Sequence, residues 1–121
     1  PEDNLASMQE TLDLALELNC EFGNFYSAMA YPGSPLYTLA RQEGWSLPPR
    51  WSGYSQHATD TLPLPTKHIS GAEVLRFRDQ AFQTYFNSPR YLQMVREKFG
   101  AETVQHIEGM ASHRLVRECL V

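Results

Sequence analysis

Apolar positions recur on a helical period at the start of the chain, where Leu5, Met8, Leu12, Ala15 and Leu16 fall on one stripe. The spacing predicts a helix over Pro1–Asn19. Pro1, Glu2 and Asp3 give it a rigid, negatively charged start, and Asn19 is its stop. The period then changes. Phe22 to Ala30 is short, aromatic-rich and bounded by turn residues, which predicts a strand covered on both faces, as in a parallel sheet. Tyr31-Pro32-Gly33-Ser34-Pro35 breaks it. Ser34 is the N-cap of a short helix with Pro35 at its first position, running to Glu43 and stopping at Gly44. Helix, strand, tight turn and helix in this order predict α/β architecture for residues 1–44.

From Trp45 to Ile69 the periodicity dissolves into an irregular connection, residues 45–69, that holds Pro48, Pro49, Pro63 and Pro65. A connection of this length needs packing of its own, for which Trp45, Trp51 and Tyr54 are the candidates, with a short strand near Tyr54–Ala58. Residues 70–121 are helical again. Ser70-Gly71-Ala72-Glu73 is a capping box opening a helix to about Phe86. Ser88-Pro89 opens a second, which stops at Gly100, and a third is expected from about Ala101 to Cys119, basic at its end through Arg114 and Arg117.

Composition narrows the function classes. The 121 residues are 42% hydrophobic and 20% charged, which is globular and excludes a disordered chain. No apolar run reaches the roughly 18–20 residues of a membrane span, so no membrane partner is expected. A net charge of −4 argues against nucleic acid. Two cysteines, Cys20 and Cys119, supply no disulfide framework, which makes the cytoplasm the expected compartment. The abrupt opening at Pro1, without Met, suggests a piece of a longer protein.

Candidate chemistry is sparse. His106 and His113 share a helical face but lie about 10.5 Å apart along the axis, too far for one metal ion. His57 and His68 flank the irregular connection and are read as solvated or backbone-bonded, so no metal ligand is assigned. Of the two cysteines, one is read as a small buried hydrophobe and the other as solvent-exposed, and Glu21 beside Cys20 opposes an activated thiolate. Arg76, Arg78, Arg90, Arg96 and Lys98 are interspersed with Glu73, Asp79 and Glu97, the pattern of a solvated helical face. Phe77, Phe82, Tyr85, Phe86 and Tyr91 read as core or interface. The strongest site is Tyr31, Pro32, Gly33 and Ser34, a turn at a helix N-terminus after a parallel strand, where α/β sheets bind ligands. Turn chemistry alone also accounts for those residues.

The run Asn24-Phe25-Tyr26-Ser27-Ala28-Met29-Ala30-Tyr31-Pro32-Gly33-Ser34-Pro35-Leu36-Tyr37 resembles the late-strand segment of radical S-adenosylmethionine enzymes. Pro1-Glu2-Asp3-Asn4 resembles the end of their Gly-x-Pro-x-Glu-Thr motif, with Asp3 in the acidic position and Asn4 in the Thr position, both departures. Trp51-Ser52-Gly53-Tyr54-Ser55-Gln56-His57 and the Ala72–Phe86 helix resemble the subgroup with an N-terminal cobalamin-binding domain, often called Fe–S oxidoreductases. The resemblance implies a predominantly helical α/β fragment: the last units of a (β/α) barrel plus a C-terminal helical extension. It implies a parent enzyme using a 4Fe–4S cluster, S-adenosylmethionine and cobalamin, with methyltransferase-like chemistry among its reactions. The cluster's Cys-x-x-x-Cys-x-x-Cys loop is not in this sequence, so the cluster ligands are expected upstream and no tight cofactor binding is expected of these residues alone. Tyr31, Pro32, Gly33, Ser34, Asp3 and Asn4 are the residues it places beside S-adenosylmethionine and substrate.

Two functions follow. One is the C-terminal part of a radical enzyme, inactive in isolation, with the missing N-terminal part of the same chain as its partner. The other is a free-standing helical interaction module without catalytic activity. A lone strand over Phe22–Ala30 also leaves backbone groups unpaired, from which a homodimer is expected.

Overall fold

The computed structural model describes residues 1–120. Its helices are α1 (Leu5–Leu18), α2 (Pro35–Gln42), α3 (Gly71–Phe86), α4 (Pro89–Phe99) and α5 (Ala101–Ser112), with 3-10 turns at Trp51–Tyr54 and Glu118–Leu120. Local chemistry sets their ends. Asn4 caps α1 through its side chain, which accepts from Ser7 N at 2.9 Å, while Asn4 N donates back to the Ser7 hydroxyl at 3.0 Å. The helix therefore begins after Pro1-Glu2-Asp3 rather than on them. Asn19, left-handed at φ 50°, ends it. Ser34 caps α2 by accepting from Tyr37 N at 3.1 Å, and the Ser70–Glu73 box caps α3 in both directions. At α4, Pro89 supplies the helical φ and Ser88 makes no side-chain cap bond.

Helix α3 is the centre, packed by α1, α4 and α5. Its Tyr85 and Phe86 join Tyr91 and Val95 of α4 and Val104, Ile107 and Ala111 of α5 in one core. Each large side chain so buried contributes about 1.5–3 kcal/mol. A smaller cluster, Ala30, Ala40 and Leu64 with Trp45 and Leu47 against it, holds α2 and the proline-rich connection.

This architecture corrects the expected α/β barrel fragment: among the described residues there are helices and no strand. Residues 22–30 are strand-like in one respect. Gly23, Phe25, Ser27 and Met29 turn inward, while Phe22, Asn24, Tyr26 and Ala28 are exposed. A strand also needs a second extended chain offering N–H and C=O groups at regular spacing. The neighbouring chain is Pro63-Leu64-Pro65, whose prolines have no N–H, so it gives one bond, Leu64 N to Ala28 O at 3.0 Å. Side chains do the rest. Gln56 accepts from Ser27 N at 3.0 Å and donates to Ser27 O at 2.8 Å, and Arg78 Nε donates to Phe25 O at 2.8 Å. Tyr85 and Tyr91 hydroxyls donate to the carbonyls of Cys20 and Glu21.

Three other expectations change. The short strand near Tyr54–Ala58 is the end of a 3-10 turn followed by bends. The last helix ends at Ser112, not near Cys119, because Arg117 is drawn inward to Asp79 and to Ala58 O. Trp51 is 78% exposed and packs only at 6.2 Å between ring centroids against Tyr54. Among the described residues, no helix is long and apolar enough to cross a membrane.

Candidate functional site

Residues 24–26 form the wall between two clefts. The larger, of about 740 Å³, is lined by the aromatic rings of Phe22, Phe25, Tyr26 and Phe82 together with His57, Arg76, Arg78, Asp79, His113 and Arg114. The smaller, of about 390 Å³, lies between α1 and the proline-rich connection; Asp3, Leu12, Ser27, Leu36, Trp45 and Phe77 are among its walls.

A buried ion cluster supports the wall from beneath. Asp79 takes a two-pronged contact from Arg117, Nε to Oδ2 and Nη2 to Oδ1 at 2.9 Å each, and a third from Arg78 Nη1 at 2.9 Å. Burial pushes the Asp79 carboxyl up, but the hydrogen bonds and charges of Arg117 and Arg78 outweigh it and hold its pKa below the usual carboxylate value. Arg78 is not part of a solvated helical face, as its sequence neighbours suggest: its side chain is 7% exposed and its guanidinium lies 5.4 Å from the Phe82 ring centroid. Arg90 is likewise engaged, donating to the last carbonyls of α1 at Leu16 and Glu17. Burial lowers the His57 pKa, and Arg78 and Arg117 push it the same way against Asp79, so its neutral form is favoured.

The residues expected to form a site are distributed unequally. Asp3 lines the smaller cleft and accepts from the Ser7 hydroxyl at 2.8 Å. Asn4 is occupied in capping α1. Ser34 is occupied too, donating to Tyr31 O at 2.7 Å while capping α2. Tyr31 packs on Tyr54 with ring centroids 6.1 Å apart, and Gly33 holds φ +88° with open space where a Cβ would sit. Tyr31, Pro32, Gly33 and Ser34 line neither cleft; the residues before them, 24–28, and Leu36 after them do. The structure therefore brings Asp3 to the strand-like segment and leaves the turn outside.

Ser27 Oγ is buried on the wall of the smaller cleft with no hydrogen-bond partner among the described residues. Gln56, Asp79, Arg78 and Arg117 are the residues that sequence reasoning passed over as organisers. Cys20 is exposed and Cys119 half-buried, and no group of three His, Cys, Asp or Glu side chains is placed to hold a metal ion among the described residues. No family model, no curated protein and no solved structure matches the chain.

Proposed function

We propose that the chain is the C-terminal part of a radical S-adenosylmethionine Fe–S enzyme of the cobalamin-binding-domain subgroup, contributing an edge of the cofactor and substrate site. One observation carries the reading. Within the segment with the resemblance, Asn24 to Tyr37, residues 24–28 are uncharged and extended, are held by side chains rather than by a ladder, and wall a cleft that Asp3 also lines. Its outward backbone groups, those of Tyr26 among them, have no backbone partner among the described residues and can be paired by another part of a larger protein.

The smaller cleft has the size of a small-molecule site. Its donor set fits S-adenosylmethionine: the Asp3 carboxylate suits the ligand's cationic groups, Ser27 Oγ is an unspent hydroxyl, and Leu12, Leu36, Trp45 and Phe77 give apolar walls. When bound at a reduced 4Fe–4S cluster, S-adenosylmethionine supplies the 5′-deoxyadenosyl radical. The cluster itself does not fit these residues, since it takes at least three nearby thiolates and the chain has two cysteines in all. In this reading the cluster ligands and the cobalamin domain lie in other parts of the parent enzyme. Here Asp3 binds and orients, and residues 24–28 exclude water from one side.

The test is S-adenosylmethionine cleavage by the full-length parent protein, reconstituted without oxygen and reduced by dithionite. The expected result is 5′-deoxyadenosine, with Asp3→Ala raising the KM for S-adenosylmethionine about tenfold through one lost charged contact. Absence of 5′-deoxyadenosine from a fully reconstituted protein sinks the reading.

A second reading, a helical interaction module without catalytic activity, is favoured by Leu14, Leu18 and Phe22, which are 54%, 63% and 61% exposed at and just beyond the end of α1. The isolated chain is expected to form a homodimer through the open edge of residues 22–30, an uncharged segment able to pair with its own copy. Sedimentation at micromolar concentration, with exchange protection of the Tyr26 and Ala28 amides in the dimer, checks this. A monomer in which both amides exchange freely refutes it.

A further inference from the structure

We infer that the larger cleft, behind residues 24–26, binds a small phosphorylated ligand with a planar ring, of nucleotide-monophosphate size. The inference rests on the cleft's own side chains and is independent of the radical-enzyme reading. Three arginines, Arg76, Arg78 and Arg114, line the cleft against one acid, Asp79, a surplus of two positive charges among its guanidinium and carboxylate groups. That surplus matches a phosphate monoester dianion. The acid is already spent, because Arg117 from behind the wall takes both its oxygens.

The cluster leaves one guanidinium arm available. Arg117 uses all three of its nitrogens on Asp79 and Ala58 O. Arg78 uses Nε on Phe25 O and Nη1 on Asp79, and its Nη2 makes no hydrogen bond among the described residues. That arm is not enclosed, so it reaches solvent and can be given to an anion. The guanidinium's position 5.4 Å from the Phe82 ring, beside Asp79, puts it on the larger cleft, whose walls include both residues. Arg76 and Arg114 are exposed on α3 and just after α5, free to approach the remaining phosphate oxygens.

The aromatic part of the lining suits a ring. Phe22 and Tyr26 are 61% and 64% exposed, large apolar faces that the fold leaves bare at the cleft. A planar heterocycle laid against them would cover that surface while its phosphate reaches the arginines. The volume of about 740 Å³ is in the range of sites for ligands of this size.

Titration of the 121-residue chain with AMP, adenosine and inorganic phosphate, followed by the imidazole resonances of His57 and His113 and by calorimetry, tests the inference. AMP should bind saturably at one site with a Kd below about 1 mM, moving both histidines. Adenosine and phosphate should each bind at least about tenfold more weakly, since each supplies half of the recognition. Arg76→Gln and Arg114→Gln, both at exposed positions, should keep the melting temperature and weaken AMP about fivefold to tenfold each. The inference is overturned if AMP shows no saturation, if adenosine or phosphate binds as well as AMP, or if the two variants bind AMP as the parent chain does.

Discussion

Asp79→Ala should destabilise the fold by about 3–5 kcal/mol, the usual cost of removing one partner from a buried ion cluster. The Arg117 and Arg78 side chains are 1% and 7% exposed, and among the described residues the Asp79 carboxylate is the only acid bonded to either. Without it two guanidinium charges stay in the interior uncompensated. Arg117 also bonds Ala58 O at 2.9 Å, and Glu118 N donates to Thr59 O at 2.8 Å, so the loss spreads to the junction of the C-terminal residues with the irregular connection. Against a total stability of about 5–15 kcal/mol this is a large fraction. Urea unfolding measures it, and a change below about 1 kcal/mol would mean that the cluster behaves as a surface pair. The same residue predicts a pH dependence. Its folded pKa lies below the unfolded value, so its stabilisation is complete above the unfolded carboxylate pKa of about 3.9 and is lost as pH falls through the lower folded value. Acid unfolding of the parent chain should therefore contain a component that Asp79→Ala removes.

Asp79 also marks the limit of what the sequence discloses. Helix ends were legible because capping is local: Asn19, Ser34-Pro35, Ser70 with Glu73, and Gly100 stand where the structure ends or begins its helices. The aromatic core was legible as well, since Tyr85, Phe86 and Tyr91 are buried as their pattern suggests. The strand expected over residues 22–30, covered on both faces, is not formed. The segment is extended with only alternate residues turned inward, a ladder is a property of two segments, and Pro63 and Pro65 deprive the nearest one of donors. The ion cluster joins Arg78 and Asp79 to Arg117, and Gln56 reaches Ser27, across stretches with no spacing rule to announce them. Arg78 therefore looks like one charge in a mixed, solvated row until the fold closes over it. Of the expected site residues, Asp3 comes to a cleft because α1 starts beside the proline-rich connection, where Lys67 N donates to Pro1 O at 2.9 Å.

Gly71→Ala should lower stability by about 1–3 kcal/mol, the range for forcing one extra carbon into a packed site, with a fall in melting temperature of roughly 4–12 °C. The sign runs against helix propensity, by which Ala in place of Gly inside a helix gains up to about 1 kcal/mol. Gly71 opens α3 and is buried, and a Cβ there would sit 2.4 Å from Pro63 O and 3.4 Å from Pro63 C. The obstacle is backbone, so no side chain can swing aside. Relief requires moving Pro63-Leu64-Pro65 away from α3. Leu64 holds that stretch in place through its bond to Ala28 O and its burial with Ala30 and Ala40. Displacement would thus loosen the backbone tie between Leu64 and the extended segment and widen the smaller cleft, of which Leu64, Pro65 and Val74 are walls. Gly109→Ala is the control, since that glycine lies within α5 with nothing within 4 Å of an added Cβ, and it should stabilise by a few tenths to about 1 kcal/mol. Thermal unfolding of the two variants side by side, with amide exchange at Leu64, reads both effects. If Gly71→Ala stabilised the chain as Gly109→Ala does, the close approach of Pro63 to the start of α3 would not exist in solution, and the smaller cleft would lose the wall that this contact fixes.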